Sequence, residues 1–499
     1  MFSKVLVANR GEIAVRVIRT CKRLGVKTVA VYSDADREAL HCGLADEAYR
    51  VGGAAPAESY LNAAAIVSLA KKAGAEAVHP GYGFLSENSD FARACEEEGI
   101  VFVGPSSATL TAAGNKVECK KLAGSEGVPV IQSTLRPVRS AEEAAEAAEG
   151  FGYPVLLKSA FGGGGLGIRE VGGPKEIFES WGRAVNEAAG AFGRSSIYVE
   201  KLIRPARHVE VQILSDGKGR TIHLGERECS IQRRHQKLVE ITPSPAIDGE
   251  MRDRIGQYAI KVARAIGYRN SGTVEFLLDA QGGFHFMEVN SRLQVEHPIT
   301  EAVTGLDLVA EQLSVAAGEG MSLTQDEVRM NGAAIECRIN AEDPLAGFAP
   351  SAGVVEGLRI PGGNGIRVDT ALYRGWAVPE HYDSLVAKLV AWGRGLDEAR
   401  RRMSVALEEF EISGFSTTVR FHREVMNSEA FAAWRLSTDF LAETGIIEKM
   451  VREAAAEKER RMRLGAAVAG ILMDMGIHKV LELEDGGRAA SRGKHFDAI

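Results

Sequence analysis

Clustered cysteines are missing from this sequence. Its six cysteines, Cys21, Cys42, Cys95, Cys119, Cys229 and Cys337, lie far apart with no Cys-x-x-Cys among them. That excludes a zinc ribbon and a dithiol redox motif, and reduced thiols are expected. Long apolar runs are also missing, since none reaches the ~18 residues needed to span a bilayer. The opening Met1-Phe-Ser-Lys-Val-Leu-Val enters a strand pattern directly, without the basic and apolar regions of a signal peptide. A cytoplasmic protein without membrane insertion is expected. Nor is there an excess of positive charge: Lys+Arg 60 against Asp+Glu 67 gives a net charge of -7, which offers nucleic acid phosphates no general attraction. What remains is an ordinary soluble composition, 45% apolar and 25% charged over 499 residues. At about 150 residues per domain that length suggests roughly three domains.

The first hundred residues alternate short apolar runs with helical periodicity. Residues 4–8, 28–32, 75–79 and 100–103 read as strands, and 12–24, 61–72 and 89–98 as helices, which together make a parallel βαβ sheet. The first strand-to-helix turn, Ala8-Asn9-Arg10-Gly11-Glu12, lacks the glycine spacing of a dinucleotide fingerprint. A helix at 116–126 and a strand at 153–160 lead into Phe161-Gly-Gly-Gly-Gly-Leu-Gly167, and a second strand, 168–171, follows. Gly162, Gly164 and Gly167 formally match a dinucleotide motif, but that motif needs a helix after the glycines and here a strand follows. The segment reads either as a flap whose bare N–H groups close over phosphates or as an ordinary mobile turn.

From residue 204 the chain becomes strand-rich. Hairpin signals fall at Ser215-Asp-Gly-Lys-Gly219, Ala280-Gln-Gly-Gly283 and Pro361-Gly-Gly-Asn-Gly365, with helices near 252–266, 302–317 and 397–410. An α/β sheet followed by a mixed α+β half is the expected architecture. Residues 448–463 are charged, with Glu448/Arg452, Glu457/Arg461 and Glu459/Arg463 at i,i+4 spacing, which predicts a solvated helix. The apolar patch 466–475 continues it.

The densest chemistry lies in Thr273-Val-Glu275 and His285-Phe-Met-Glu288-Val-Asn290-Ser-Arg292. Strand alternation puts Glu288 and Asn290 on one face, where Glu275 of a partner strand can join them. A lone carboxylate on a sheet is ordinarily just solvated. Three oxygen donors among apolar residues make a site suited to magnesium, which commonly bridges nucleotide phosphates. Immediately downstream, Arg292 can grip a planar oxyanion through paired N–H bonds and Glu296 can accept a proton. Arg207-His208-Val-Glu210, Gln232-Arg-Arg-His235-Gln-Lys237 and Ile335-Glu-Cys-Arg338-Ile-Asn-Ala-Glu-Asp343 add polar density, each readable as a structural ion pair or as part of a site.

Four segments carry a resemblance: Val7-Ala-Asn-Arg-Gly-Glu-Ile-Ala14, His79-Pro-Gly-Tyr82-Gly-Phe-Leu-Ser-Glu-Asn88, Phe286-Met-Glu-Val-Asn-Ser-Arg-Leu-Gln-Val-Glu-His297 and Glu336-Cys-Arg-Ile-Asn-Ala-Glu-Asp343. Together they closely resemble the biotin carboxylase family of ATP-grasp enzymes, over residues 1–445 in the family's order. The resemblance implies a Rossmann-like N-terminal domain at 1–115, an ATP-grasp lid subdomain at 116–203 and a large ATP-grasp subdomain at 204–330. A C-terminal α+β biotin carboxylase domain at 331–445 and a helical charged extension at 446–499 complete the division. The implied activity is ATP- and bicarbonate-dependent carboxylation of biotin through carboxyphosphate.

By the same resemblance Lys116 and Lys158 contact ATP phosphates, and Glu200, Lys201 and Ile203 border the adenine. Gly162, Gly163, Gly164, Gly165 and Gly167 form the lid, with His208, Gln232 and His235 also in the nucleotide pocket. Glu275, Glu288 and Asn290 hold magnesium (or manganese). Lys237, Arg292, Gln294, the Val295 backbone and Glu296 serve bicarbonate, with Glu296 as base, while Arg338 stabilises the biotin enolate and Tyr82 borders the pocket. Four positions depart from the family pattern: Asn115 for an aspartate, Phe161 for a glycine, Leu166 for a basic residue and Ala352 for a proline.

No Met-Lys pair, the hallmark of a biotinylated lysine, occurs in the sequence. The resemblance therefore implies a separate biotin carboxyl carrier chain and a separate carboxyltransferase chain, with this chain as a homodimer. Two other readings share parts of the pattern. One is a different ATP-grasp ligase, distinguished by the Glu296 and Arg338 segments. The other is a catalytically silent regulatory protein, toward which Asn115 and Leu166 are the sequence hints.

Overall fold

The computed structural model describes residues 1–160, 168–192 and 196–474. Two compact units emerge, Met1–Ile447 and Glu448–Ile499. In the first unit, strands β1 (Lys4–Val7), β2 (Lys27–Ser33), β3 (Glu47–Gly52), β4 (Ala77–His79) and β5 (Val101–Phe102) form a parallel sheet in the order β3-β2-β1-β4-β5. Val5, Leu6, Val7, Val29, Val31 and Val78 are buried in it, as expected where helices cover both faces of a parallel sheet. Edge strand β3 escapes a reading by hydrophobic pattern because Glu-Ala-Tyr-Arg-Val-Gly leaves only Val51 buried.

A three-stranded antiparallel sheet follows in the order β7-β6-β8, built from β6 (Val155–Ser159), β7 (Ile168–Val171) and β8 (Ile197–Lys201). Helices Ala141–Phe151 and Pro174–Phe192 accompany it, with Ala144, Ala148, Ile177 and Ala184 in the shared core. The strand, glycine segment, strand order read from the sequence holds for the two strands, which pair as neighbours. Phe161, the lid glycines Gly162, Gly163, Gly164, Gly165 and Gly167, and Leu166 lie outside the described residues.

The largest sheet is antiparallel throughout. It contains β9 (Ala206–Ser215), β10 (Thr221–Arg233), β11 (Gln236–Thr242), β12 (Asn270–Asp279), β13 (Phe284–Asn290) and β14 (Ala333–Asn340). After a short ribbon of β15 (Glu342–Asp343) with β16 (Ala349–Pro350) comes β17 (Gly357–Arg359), then β18 (Ile366–Thr370), β19 (Leu385–Gly393) and β20 (Glu411–Ser413). The order β13-β12-β9-β10-β11-β14-β19-β18 makes one surface continuous from residue 206 to residue 393, across position 330. Helix Gly249–Ala265 covers β9 and β10 through Ile255, Ala259, Val262 and Ala263.

Two expectations are corrected. The glycine-rich turn after Pro361 does not close a hairpin, because β17 pairs with β20 and β18 with β19. The single helix expected at 302–317 is two, His297–Thr304 and Leu308–Ala316, broken where Gly305 adopts φ 75° and Asp307 caps the second by accepting from the Ala310 N–H. The helix Ile446–Asp474 carries the Glu457–Arg461 and Glu459–Arg463 pairs and adds Lys449–Glu453 at 3.8 Å. Among the described residues no helix is long and apolar enough to cross a membrane.

Candidate active site

A cleft of about 460 Å³ opens on the face of the large sheet, and its lining draws on every part of the first unit. The N-terminal turn gives Asn9, Arg10 and Glu12, the segment after β4 gives Tyr82, Gly83 and Phe84, and the lid sheet gives Lys158 and Ile168. Asn9 shapes this end: its Nδ2 donates to the Pro80 and Tyr82 carbonyls at 2.7 and 2.8 Å. Gly81 is required there, since its φ is 64° and a Cβ would lie 2.9 Å from Asn9 Nδ2.

On β12 and β13, Glu275 stands directly opposite Glu288, and Thr273 opposite Asn290. The ladder slips one residue after Glu275, so Met287 is extra on β13. The bulge lets Phe286 turn into the core against Phe276 while Glu288 and Asn290 stay in the cleft. The three-oxygen face expected from the sequence is therefore present, and its donor set suits a hard divalent cation. Basic groups already face it. Lys116 pairs with Glu288, Lys237 donates to Glu275 at 2.9 Å, and His208 Nε2 lies 3.2 Å from Glu275. Lys237 and His208 hold the Glu275 carboxyl well below the usual carboxylate range against burial, which pushes it up.

His208, Glu210 and Glu275 also bring ligand-type atoms within 4.8 Å of one another. The Lys237 ammonium sits among these carboxylates, donating to Glu210, to Glu275 and, at 2.8 Å, to Glu296. That group is a buried ion-pair network around a lysine.

Glu296, which precedes helix His297–Thr304, is fully buried behind the cleft wall. Its Oε1 accepts from Lys237 and its Oε2 from Arg338 Nη2 at 2.8 Å, while Arg338 Nε is held by Glu240 at 2.6 Å. Burial alone would raise Glu296, but Lys237, Arg338 and Arg227 keep its carboxyl well below the usual range, so it is ionised. A second bulge makes this possible: Ile231 pairs with Val239 but Gln232 with Lys237, leaving Leu238 extra on β11. Lys237 and Glu240, three residues apart, thereby serve the same site.

Arg292 lines the cleft, tied to Glu87 at 2.9 Å and to Gln294 Oε1 at 3.1 Å. Gln294 Nε2 is buried without a partner among the described residues. Gln232 reaches the cleft from the end of β10, and His235 from the two-residue turn that follows, in which Arg234 and His235 both have positive φ, 49° and 63°, the twist that suits a tight hairpin. Asn115, the departure from the family pattern beside Lys116, caps helix Lys116–Ser125 by accepting from the Glu118 N–H, so the cap an aspartate would supply is kept. Nothing in the structure explains Ala352.

Comparison with known proteins decides the family. Residues 1–110 match the family described as Biotin carboxylase, N-terminal domain, 115–324 the Carbamoyl-phosphate synthase L chain, ATP binding domain, and 336–443 the Biotin carboxylase C-terminal domain. Biotin carboxylase 1 of Bacillus subtilis is 50% identical over 88% of this chain and 98% of its own. The biotin carboxylase of Nostoc sp. is 48% identical over 89% and 99%. The chain belongs to the biotin carboxylase family. It is an ATP-dependent ligase of that kind. Among solved structures, the biotin carboxylase domain dimer of Hydrogenobacter thermophilus 2-oxoglutarate carboxylase, in complex with MgADP, ADP and bicarbonate, superposes with a TM-score of 0.88 at 48% identity, covering 90% of this chain and 98% of that one.

Within this biotin carboxylase fold, Tyr82, Lys116, Lys158, His208, Gln232, His235, Lys237, Glu275, Glu288, Asn290, Arg292, Gln294, Val295 and Arg338 all line the cleft. Glu200, Lys201, Ile203 and Glu296 are not among the described lining residues. Glu200 is fully buried between Lys120 and Lys158, and against burial these two ammonium groups hold its carboxyl down to about 2. The Lys201 ammonium donates away from the cleft, to the Gly152 and Tyr153 carbonyls at 2.7 and 3.2 Å.

Sequence reasoning missed several supports. Arg227 is wholly buried and donates to Glu210 at 2.6 Å and to Gln212, Thr273 and Thr300. Lys388 donates to the Val295 carbonyl at 3.0 Å and pairs with Glu12 at 3.1 Å, and Glu12 in turn accepts from the Tyr82 hydroxyl. Burial pushes Glu12 up to about 7, against the pull of Lys388. The available signal was charge inside apolar strands, as in Leu-Gly-Glu-Arg227-Glu-Cys and Val-Ala-Lys388-Leu-Val.

Proposed function

We propose that this chain carboxylates biotin held on a separate carrier protein, using ATP and bicarbonate, as the first half-reaction of a biotin-dependent carboxylase. The observation that carries the reading is one continuous ion-pair chain, Glu275–Lys237–Glu296–Arg338, joining the oxygen-donor face to the acceptor side of the same cleft. Another ATP-grasp ligase would need the first half but has no use for the second.

Lys116 and Lys158 neutralise the ATP phosphates, with His208, Gln232 and His235 completing the nucleotide pocket. Glu275, Glu288 and Asn290 would hold a magnesium ion, which would supply positive charge to spread that of the transferring phosphoryl group. Lys237, Arg292, Gln294 and the Val295 backbone seat bicarbonate beside Glu296, which takes its proton as the bicarbonate oxygen attacks the γ-phosphorus and ADP leaves. Carboxyphosphate then breaks to carbon dioxide and phosphate.

Arg338 meets the ureido oxygen of biotin as charge develops on it, with Tyr82 beside the ring; the phosphate released from carboxyphosphate takes the ureido N–H proton, and the nitrogen captures carbon dioxide. A ureido oxygen drawing on Arg338 weakens its hold on Glu296. The Glu296 carboxyl then becomes a better proton acceptor, so acceptor binding and base strength rise together. The division of the chain proposed here is 1–115, 116–203, 204–330, 331–445 and 446–499, with one sheet running through the boundary at 330. Biotin carboxylase 1 of Bacillus subtilis, matched over 98% of its own length, supports a carrier and a carboxyltransferase on other chains, and the dimeric Hydrogenobacter relative supports a homodimer here. The test is transfer of label from bicarbonate to free biotin by the purified chain. Labelled carboxybiotin should form only with magnesium and ATP, and ATP cleavage that is indifferent to bicarbonate would overturn the reading.

A further inference from the structure

Behind Arg338 lie two carboxyl groups that the mechanism does not use. Glu240 on β11 and Glu336 on β14 are direct partners across the antiparallel ladder, and both are fully buried. Two like charges in that position repel strongly in a dry interior. Glu240 Oε1 accepts from Arg338 Nε, while Glu240 Oε2 and both oxygens of Glu336 have no hydrogen-bond partner among the described residues.

The surrounding cations are committed elsewhere. Arg338 is divided between Glu240 and Glu296, and Lys237 among Glu210, Glu275 and Glu296. Lys388, opposite Arg338 on β19, is taken by Glu12 and the Val295 carbonyl. Of the other titratable groups packed nearby, the Cys229 and Cys337 thiols are kept protonated by burial. His297 and His422 are kept neutral by burial, with His422 Nε2 bonded to the Arg338 carbonyl at 2.7 Å. Among the described residues, nothing in this shell can balance a second anion.

We propose that Glu240 and Glu336 act as a singly charged carboxyl pair that positions Arg338 for the biotin half of the reaction. Glu336 carries the proton and Glu240 the charge that clamps the guanidinium. Burial raises both carboxyls: Glu240 only to about 7, because Arg338 pulls it down, and Glu336, with the charge of Glu240 added to burial, well above the ordinary carboxylate range, which agrees with this assignment. While Glu336 is neutral, Arg338 has one fixed anion on its Nε side and its remaining N–H groups can serve Glu296 and the ureido oxygen. When Glu336 ionises, a new negative charge beside Glu240 competes for the same guanidinium. The positioning of Arg338 is then lost from the alkaline side.

The inference rests on Arg338 serving the biotin half, and its test keeps the two claims apart. The readout is the ratio of free-biotin carboxylation to biotin-independent ATP cleavage across pH, in the full chain. In the wild type this ratio falls at alkaline pH, and in Glu336→Gln, which cannot ionise, the fall is absent or displaced upward by about one pH unit. Glu240→Gln lowers the ratio on the order of tenfold at neutral pH, as loss of a group orienting a functional side chain does, and Glu240→Asp recovers part of it. Infrared difference spectra of the wild type against Glu336→Gln at neutral pH show the C=O stretch of one protonated carboxyl, lost in the variant. Absence of that band, or superimposable pH dependence in wild type and Glu336→Gln, overturns the inference. If instead Arg338→Gln itself leaves the ratio unchanged, the assignment of Arg338 has failed. Should Glu336→Gln not fold, the Glu240→Gln and Glu240→Asp ratios still decide: an unchanged ratio in both overturns the pair.

Discussion

Arg338 Nη2 donates to Glu296 Oε2 at 2.8 Å, so the cation assigned to the acceptor and the base assigned to bicarbonate are already in contact. The contact links two stages of chemistry through a single hydrogen bond between charged groups, the kind that is strongest in a dry site. It also sets what should happen when either end of the ion-pair chain is cut.

At the metal end, Glu288→Gln removes one of two facing carboxylates while keeping the side chain's shape, and leaves Lys116 without its partner. ATP cleavage at saturating magnesium should fall by more than about 100-fold, the scale expected when transition-state charge stabilisation is lost. Circular dichroism and melting temperature should stay close to wild type. Wild-type turnover in this variant would mean that the β12–β13 face does not hold the metal.

Acid stability should report three buried histidines. His41, His79 and His422 are each lowered to about 4 by burial. Unfolded, they take up protons near the ordinary histidine value, so in that window the unfolded chain binds more protons than the folded one. Stability is therefore retained above about pH 6.5 and lost as pH falls toward 4, with each histidine costing about 2 kcal/mol by about pH 5. Urea midpoints measured from neutral to mildly acid pH should drop accordingly, and a His79→Gln variant should show a shallower fall. A flat profile would mean these rings are not held neutral in the fold.

The parallel sheet was legible because its strands are continuous apolar runs between helical periods, and the oxygen face because Glu288 and Asn290 are spaced two apart. What hid the rest was one extra residue at a time. The bulge at Leu238 brings Lys237 and Glu240 to one site although strict alternation would separate them, and the bulge at Met287 sends Phe286 into the core. Supporting charges such as Arg227 and Lys388 come from strands distant in sequence, and only the sheet order makes them neighbours of Glu296 and Val295. Edge strand β3 gave no hydrophobic signal because most of it is not buried.

A chain of these 499 residues should carry no biotin, since no Met-Lys pair occurs in it. An avidin blot of the purified chain should be blank, while a lysate that supports carboxylation should show the biotinylated carrier at another mass. A strong avidin band at 53.5 kDa would contradict the separate-carrier reading.

The most direct measurement is the ratio of the two half-activities in Arg338→Gln. Cleavage of ATP with bicarbonate alone draws on Lys116, Lys158, Lys237, Arg292 and the carboxylate face, none of which the substitution removes. Charge on the ureido oxygen, by contrast, loses its guanidinium, and a neutral amide does not replace it. Carboxylation of free biotin should fall by about 10²–10³ while biotin-independent ATP cleavage largely survives. An equal fall in both activities would contradict the assignment of Arg338 and Glu296 to opposite halves of the reaction.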